Sequence, residues 1–121
     1  MTDITKNITK HYQSLIGSDL EKLHVPEWDM DVYYRRTYAF KDEAKIIELQ
    51  TQGKIVEALV QSIITKARDK NGKALFQDAH KVTLMNEADP TVVTRVASTI
   101  NNASMKLSQE EAIKELEPTQ S

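Results

Sequence analysis

The chain contains no cysteine, which removes disulfides, thiolate nucleophiles and every zinc site that needs sulfur ligands. Glycine and proline are nearly as scarce, with three of each in 121 residues. Sandwiches and barrels turn tightly many times and draw on those residues at each turn, so they are disfavoured. Long apolar runs are missing too: no segment approaches the roughly 18 uninterrupted apolar residues of a membrane helix. The opening MTDITKNITK has no apolar stretch behind a basic region, so no signal peptide is expected. Nor is there an excess of positive charge. Lys and Arg number 16 against 18 Asp and Glu, without the surplus that neutralises phosphates and drives nucleic-acid affinity. No nucleic acid and no membrane is expected as a partner.

What remains is 40% hydrophobic and 28% charged, enough apolar surface for a folded core in a chain the size of one ordinary domain. The spacing of those residues is mostly helical. Ile4, Ile8, Tyr12, Leu15 and Ile16 follow one another by three or four where spacing matters, a weak amphipathic helix closed by Gly17. Ser18 and Glu21 stand at capping-box spacing, which predicts a short helix through Leu23 that Pro26 stops.

Beyond Pro26, Trp28, Val32, Tyr33, Tyr34, Thr37 and Tyr38 crowd into a dozen residues. Aromatic and β-branched side chains suit a pleated surface, so a strand or small hairpin is expected near residues 27–38. From Lys41 to Gln52 the row Phe40, Ala44 and Ile47 predicts a helical face that Ile46 and Leu49 widen, with Gly53 at its end. IVEALVQSIITKARD then sets Ile55, Leu59, Ile63 and Ala67 in one row and Val56, Val60 and Ile64 in the next, the pattern of a central core helix.

DKNGK reads as a turn between helices, since Asn and Gly tolerate φ > 0 and Asp69 can bond locally. Asp78 is placed to cap a helix carrying Ala79, Val82 and Met85. Asp89-Pro90 repeats the signal ahead of a helix to about Asn101, whose row is Val92, Val96 and Ile100. Ser108 and Glu111 form a last capping pair before a short helix with Ala112, Ile113 and Leu116. The expected fold class is mainly α, about five or six short helices with one small β-strand or hairpin, in a domain over residues 1–105. A short helix and a disordered tail make up residues 106–121. The core should include Ile47, Leu59, Ile63, Val92 and Val96.

Catalytic chemistry finds no footing. His11, His24 and His80 fall in separate predicted elements without metal-ligand spacing. Asp69, Asn71 and Lys73 alternate like the start of a calcium loop, but a lysine supplies no oxygen ligand. Gly17, Gly53 and Gly72 lie too far apart to share a phosphate-cradling loop. Acidic pairs such as Asp42 with Glu43 sit in first turns, where the helix dipole explains them. Arg35 and Arg36 beside the tyrosines could contact a nucleic acid, yet alternation splits the two charges between opposite faces of a strand. No enzyme, cofactor or metal site is expected.

Protein binding is the better reading. A strand with no obvious second strand in the chain leaves an edge that can pair with another copy, and a helix too small to fold alone can dock on a neighbour. On that reasoning the candidate binding residues are Trp28, Val32, Tyr34, Arg36 and Tyr38, with Ile113 and Leu116. Self-association is expected.

One resemblance covers about residues 20–105. A Pro-x-Trp start, the VYYRR strand, a Phe-led acidic helix start, IVEALVQSIITKARDKNGKALF and the DPTVVTRVASTINN helix follow one another. In this order they resemble the tail assembly chaperones of long-tailed phages with non-contractile tails. The resemblance implies a late viral protein that acts in the host cytoplasm and is absent from the mature virion. Its implied partners are the tape measure protein and, as a second candidate, the tail tube protein; such genes often append a second domain by a programmed frameshift. Two other readings stand beside it. A structural virion subunit, such as a connector or head completion protein, is the nearer. A small helix-turn-helix regulator would need a basic recognition helix, and the DPTVVTRVASTINN stretch offers only Arg95.

Overall fold

Alternation between the two faces of a strand begins upstream of Pro26, not after it. A computed structural model describes residues 3–16 and 20–102, and in it Glu21–Val25 is a strand, β1. Leu23 and Val25 point into the molecule while Lys22 and His24 are exposed, the period of two that a half-buried strand requires. The capping-box spacing at Ser18 and Glu21 is therefore misleading, and the expected helix through Leu23 does not form. Pro26 stops no helix. It opens a 3-10 turn over Pro26–Trp28, and like any proline it holds the residue before it in extended backbone. Asp29 completes the reversal in the left-handed region at φ 49°, where Asp is one of the better tolerated side chains.

The second strand, β2, is Met30–Tyr34 and pairs antiparallel with β1, Leu23 opposite Val32 and Glu21 opposite Tyr34. The hairpin thus takes in residues 21–34, its first strand lying ahead of the stretch expected to hold it. Arg68 extends this small sheet by bridging Tyr33 on one side and Ala74 on the other. The DKNGK segment is accordingly a reversal within that extension, not a link between helices. Asp69 Oδ1 accepts from the amides of Asn71 and Lys73 at 2.8 and 3.0 Å, and Gly72 supplies φ +84°.

The described residues also form five α-helices: α1 Ile4–Ile16, α2 Phe40–Thr51, α3 Ile55–Lys66, α4 Lys81–Asn86 and α5 over residues 90–102. The mainly helical architecture is as the sequence predicts. Asp3 starts α1 by accepting from the Lys6 amide at 3.1 Å, and Gly53 ends α2 at φ +76°. Asp89 caps α5 as expected, its Oδ1 2.9 Å from the Thr91 amide. The Asp78 cap is not seen. Asp78–His80 is a 3-10 turn before α4, and it is the Gln77 amide that donates to His80 Nδ1 at 2.8 Å.

The core is organised on α3. Val60, Ile63, Ile64 and Ala67 join Val25, Val32 and Tyr34 of the hairpin, Leu84 of α4 and Val92, Val93, Val96, Ala97 and Ile100 of α5. Leu59 packs against that cluster from a half-buried position. Ala58, on another side of α3, meets Ile46 and Leu49 of α2 in a second, smaller cluster. Neither cluster includes a residue of α1 among those whose side chains are described. Among the described residues no helix is long and apolar enough to cross a membrane.

Ile47 is a correction. It is 42% exposed, because α2 is turned the other way. The row Phe40, Ala44, Ile47 faces outward, and Ile46 and Leu49 face α3. The inward face of α2 also carries Glu43, which reaches the Lys66 ammonium.

Candidate protein-binding surface

Three of the seven residues expected at a binding surface are inside the protein. Val32 is fully buried, and Tyr34 and Tyr38 are nearly so. The reason lies in the hairpin: β2 is its inner strand, covered by the core on the face that carries Val32 and Tyr34. Tyr38 is held by its hydroxyl, which donates to the Lys66 carbonyl at 2.7 Å and accepts from the Arg35 amide at 2.9 Å. Burial raises the Tyr38 phenol above its ordinary value, and it raises Tyr34 likewise, with Glu21 adding to the effect.

Trp28 is half-buried, its ring edge-on to Phe76 with centroids 6.0 Å apart. Arg36 is exposed and its Nε donates to Glu21 Oε1 at 2.8 Å. Ile113 and Leu116 lie outside the described residues, as do the expected C-terminal helix and tail. The structure therefore places Trp28, Val32 and Tyr34 in the hairpin and Arg36 and Tyr38 just after it, and turns Val32, Tyr34 and Tyr38 inward.

The strand edge is also displaced from where it was expected. The Tyr33 amide and carbonyl bond Arg68 at 2.9 and 2.7 Å, so that side of β2 is closed there. In an antiparallel ladder, residues that bond outward alternate with residues that bond their partner strand. Lys22 lies opposite Tyr33 and His24 opposite Asp31, so the backbone of β1 that faces away from the hairpin is at Lys22 and His24. No described residue pairs with it.

Apolar side chains that do reach solvent lie on the helices. Phe40 is 84% exposed and leads the outer row of α2; Ile55 and Val56 stand out from the first turn of α3, Val82 from α4, and Ile4 and Ile8 from α1. Single exposed apolar residues are ordinary, whereas Phe40 and Ile47 stand on one face of the same helix. Sequence reasoning had the α2 row right and its destination wrong.

The densest polar grouping is interior and structural. Lys66, 5% exposed, pairs with Glu43 of α2, donates to Asn101 Oδ1 of α5 at 3.1 Å and lies 5.4 Å from the centre of the Tyr38 ring. Asn101 donates in turn to the buried Ser62 hydroxyl at 3.1 Å, and Ser62 donates to the Ala58 carbonyl at 2.9 Å. Every member has a partner, which lets a buried polar network fix one arrangement of three helices.

The three histidines sit apart. His24 contacts Asp31 at 2.7 Å, His80 takes the Gln77 amide, and the His11 carbonyl accepts from Ser14. Among the described residues no three His, Asp or Glu groups come together as metal ligands do. At the tip of the hairpin, Glu27 forms a two-pronged pair with Arg95 of α5 at 2.9 and 2.5 Å. That pairing lowers the Glu27 carboxyl and raises the Arg95 guanidinium.

Comparison of this chain with protein families, with curated proteins and with solved structures finds no match.

Proposed function

We propose that the chain is a phage tail assembly chaperone that holds the tape measure protein, and secondarily tail tube subunits, through apolar faces of its helices while the tail is built. The observation that carries this reading is the outward row Phe40, Ala44, Ile47 of α2, with Phe40 84% exposed. The ordered motifs of residues 20–105 support it. A tape measure protein is a very long helical chain whose apolar stripes are covered only once the tube surrounds it. Until then those stripes drive aggregation. A small helical domain that offers a row at helical spacing can cover one of them as a helix pairs with a helix. Several copies, each binding weakly, hold the client by avidity and let go as the tube replaces them. The protein then works in the host cytoplasm, associates with itself on the client and leaves before the virion is complete.

The test is co-expression with a candidate tape measure segment, the soluble fraction of that segment being measured. The wild type should keep it soluble, and a Phe40→Asp, Ile47→Asp variant should fail while melting within a few degrees of the wild type. Light scattering should show complexes larger than one copy. A variant that protects the segment as well as the wild type would sink the proposal. Recovery of the chain in purified particles would favour a structural virion subunit instead.

A further inference from the structure

Of the two strands, β1 has the open edge. Lys22 and His24 turn their backbone N–H and C=O groups away from β2, both residues are exposed, and no described residue bonds those groups. Unmade hydrogen bonds along an edge are a template for another strand. On the far side of the sheet Arg68 takes the outward bonds of Tyr33 and itself bridges to Ala74, which leaves only Asp31 of β2 facing out there. Pairing through one edge per chain stops at two copies, so the product is a closed, two-fold dimer and not a fibre.

A two-fold axis makes β1 run antiparallel to its copy, and the residues of this strand allow one register. Residues that bond outward must face residues that bond outward. Lys22 opposite Lys22 of the second copy would set like charges side by side, which destabilises neighbouring strands. His24 opposite its own counterpart would put Lys22 against Pro26, which has no N–H to donate and already lies in the 3-10 turn. There remains Lys22 opposite His24 of the second copy, each exchanging both of its outward backbone bonds with the other.

The side chains fit that register. On the core face Leu23, half-buried against the larger cluster, meets Leu23 of the second copy across the axis, with Cα atoms about 4.5 Å apart as in any non-hydrogen-bonded antiparallel pair. On the outer face His24 stands between Asp31 of its own hairpin and the incoming Lys22. The Asp31 carboxylate can only accept, so the 2.7 Å contact is a donation from His24 Nδ1. The neutral ring keeps Nε2 as an acceptor, and the ammonium of the second copy's Lys22 donates to it. Each row thus runs carboxylate, imidazole, ammonium. A lysine on an edge ordinarily discourages pairing; here it excludes the wrong registers and is matched in the right one.

We infer that two copies of the chain join along β1, Lys22 facing His24 of the second copy, so that one sheet runs through both hairpins. This does not rest on the chaperone reading and uses no residue of the outer α2 row.

Because the chain has no cysteine, single introduced thiols report the register. A thiol at position 23 faces its own counterpart at a separation a disulfide can span, so under mild oxidation Leu23→Cys should form covalent dimers about tenfold faster than Lys22→Cys or His24→Cys. Sedimentation of the wild type should show a monomer–dimer equilibrium. Lys22→Pro removes an N–H that the β1–β2 ladder does not use, at a position where an edge strand tolerates proline. It should weaken the dimer about tenfold or more, while Phe40→Asp should leave it intact. A wild type that sediments as a monomer up to its solubility limit would overturn the inference. So would faster cross-linking at position 22 or 24, or a dimer that a folded Lys22→Pro variant leaves unchanged. Should that variant not fold, the cross-linking rates and the wild-type sedimentation decide by themselves.

Discussion

The two ends of the α2–α3 hairpin are built on opposite terms. Where α2 begins and α3 finishes, Glu43, Lys66, Asn101, Ser62 and Tyr38 close over one another, every polar atom partnered and Lys66 almost out of water. Where α2 finishes and α3 begins, Ile47, Ile55 and Val56 stand in solvent around the Gly53 turn. The usual arrangement is inverted: the ion pair is inside and the isoleucines are outside. The closed end specifies how three helices meet, a role in which a buried polar network can serve better than grease. The open end adds only the small cluster of Ile46, Leu49 and Ala58 to the core and leaves its other apolar side chains in solvent.

The comparison breaks most sharply on two isoleucines. Ile63 is fully buried at the centre of the larger cluster, so Ile63→Ala should cost about 2 to 5 kcal/mol, from lost transfer energy plus the cavity left behind. Ile47→Ala, at the open end, should stay within about 0.5 kcal/mol, as surface substitutions do. Denaturant unfolding of the pair measures both. Equal losses would mean that the open end is not open.

Next come the ions. Glu43→Ala leaves the Lys66 ammonium buried with only Asn101 and the Tyr38 ring beside it and should cost about 2 kcal/mol, somewhat less than a fully buried pair because Glu43 is itself a third exposed. Lys66→Met removes the charge and keeps the packing, and should cost under about 1 kcal/mol. If the methionine variant were the less stable of the two, the network would contribute net energy and not only register.

Tyr38 sharpens the same point. Tyr38→Phe leaves the Lys66 carbonyl and the Arg35 amide short of a partner and should cost about 1 to 2 kcal/mol. There is a pH signature. Burial raises the Tyr38 phenol above its ordinary 10.0, so its contribution is whole below that value. It is lost as pH rises through the folded-state value, where the unfolded chain releases a proton that the folded one retains. The alkaline decline in melting temperature should be shallower in Tyr38→Phe than in the wild type.

How far this was legible in the sequence depends on whether one period dominated a segment. In α5, Val92, Val96 and Ile100 leave no rival face, and the Asp89-Pro90 start was equally plain. In α2, the spacing makes Ile46 and Leu49 a widening of the Phe40, Ala44, Ile47 face when they are the buried face themselves, and the pairing of Glu43 with Lys66, 23 positions away, cannot be found by local spacing. In β1, a capping-box coincidence outweighed the two-residue alternation of Leu23 and Val25, because five residues give periodicity little to work with. Three of the binding candidates are buried for a related reason. Aromatic enrichment identified the hairpin, but the same property puts Val32, Tyr34 and Tyr38 into the core. Exposure is a tertiary quantity, and the outward turn of Phe40 is written in α3 and the network as much as in α2 itself.

The smallest expected effect lies away from both ends, at the hairpin tip. Glu27 and Arg95 join the turn after β1 to α5 across an exposed surface, where water and salt screen the pair and side-chain ordering offsets much of what attraction remains. Its sign is nonetheless fixed. The two hydrogen bonds from Arg95 hold the Glu27 carboxyl below its ordinary 4.5, so the stabilisation is complete above that value and fades as pH falls through the folded-state value. Glu27→Gln should therefore differ from the wild type near neutral pH and converge on it in acid, and added salt should close the gap at neutral pH without affecting acid. A matching Arg95→Gln variant, and the two together, complete a double-mutant cycle whose coupling should vanish on the same acid limb. A coupling that persisted in acid would mean that the tip is held by packing of Trp28 on Phe76, and the ion pair would be only its neighbour.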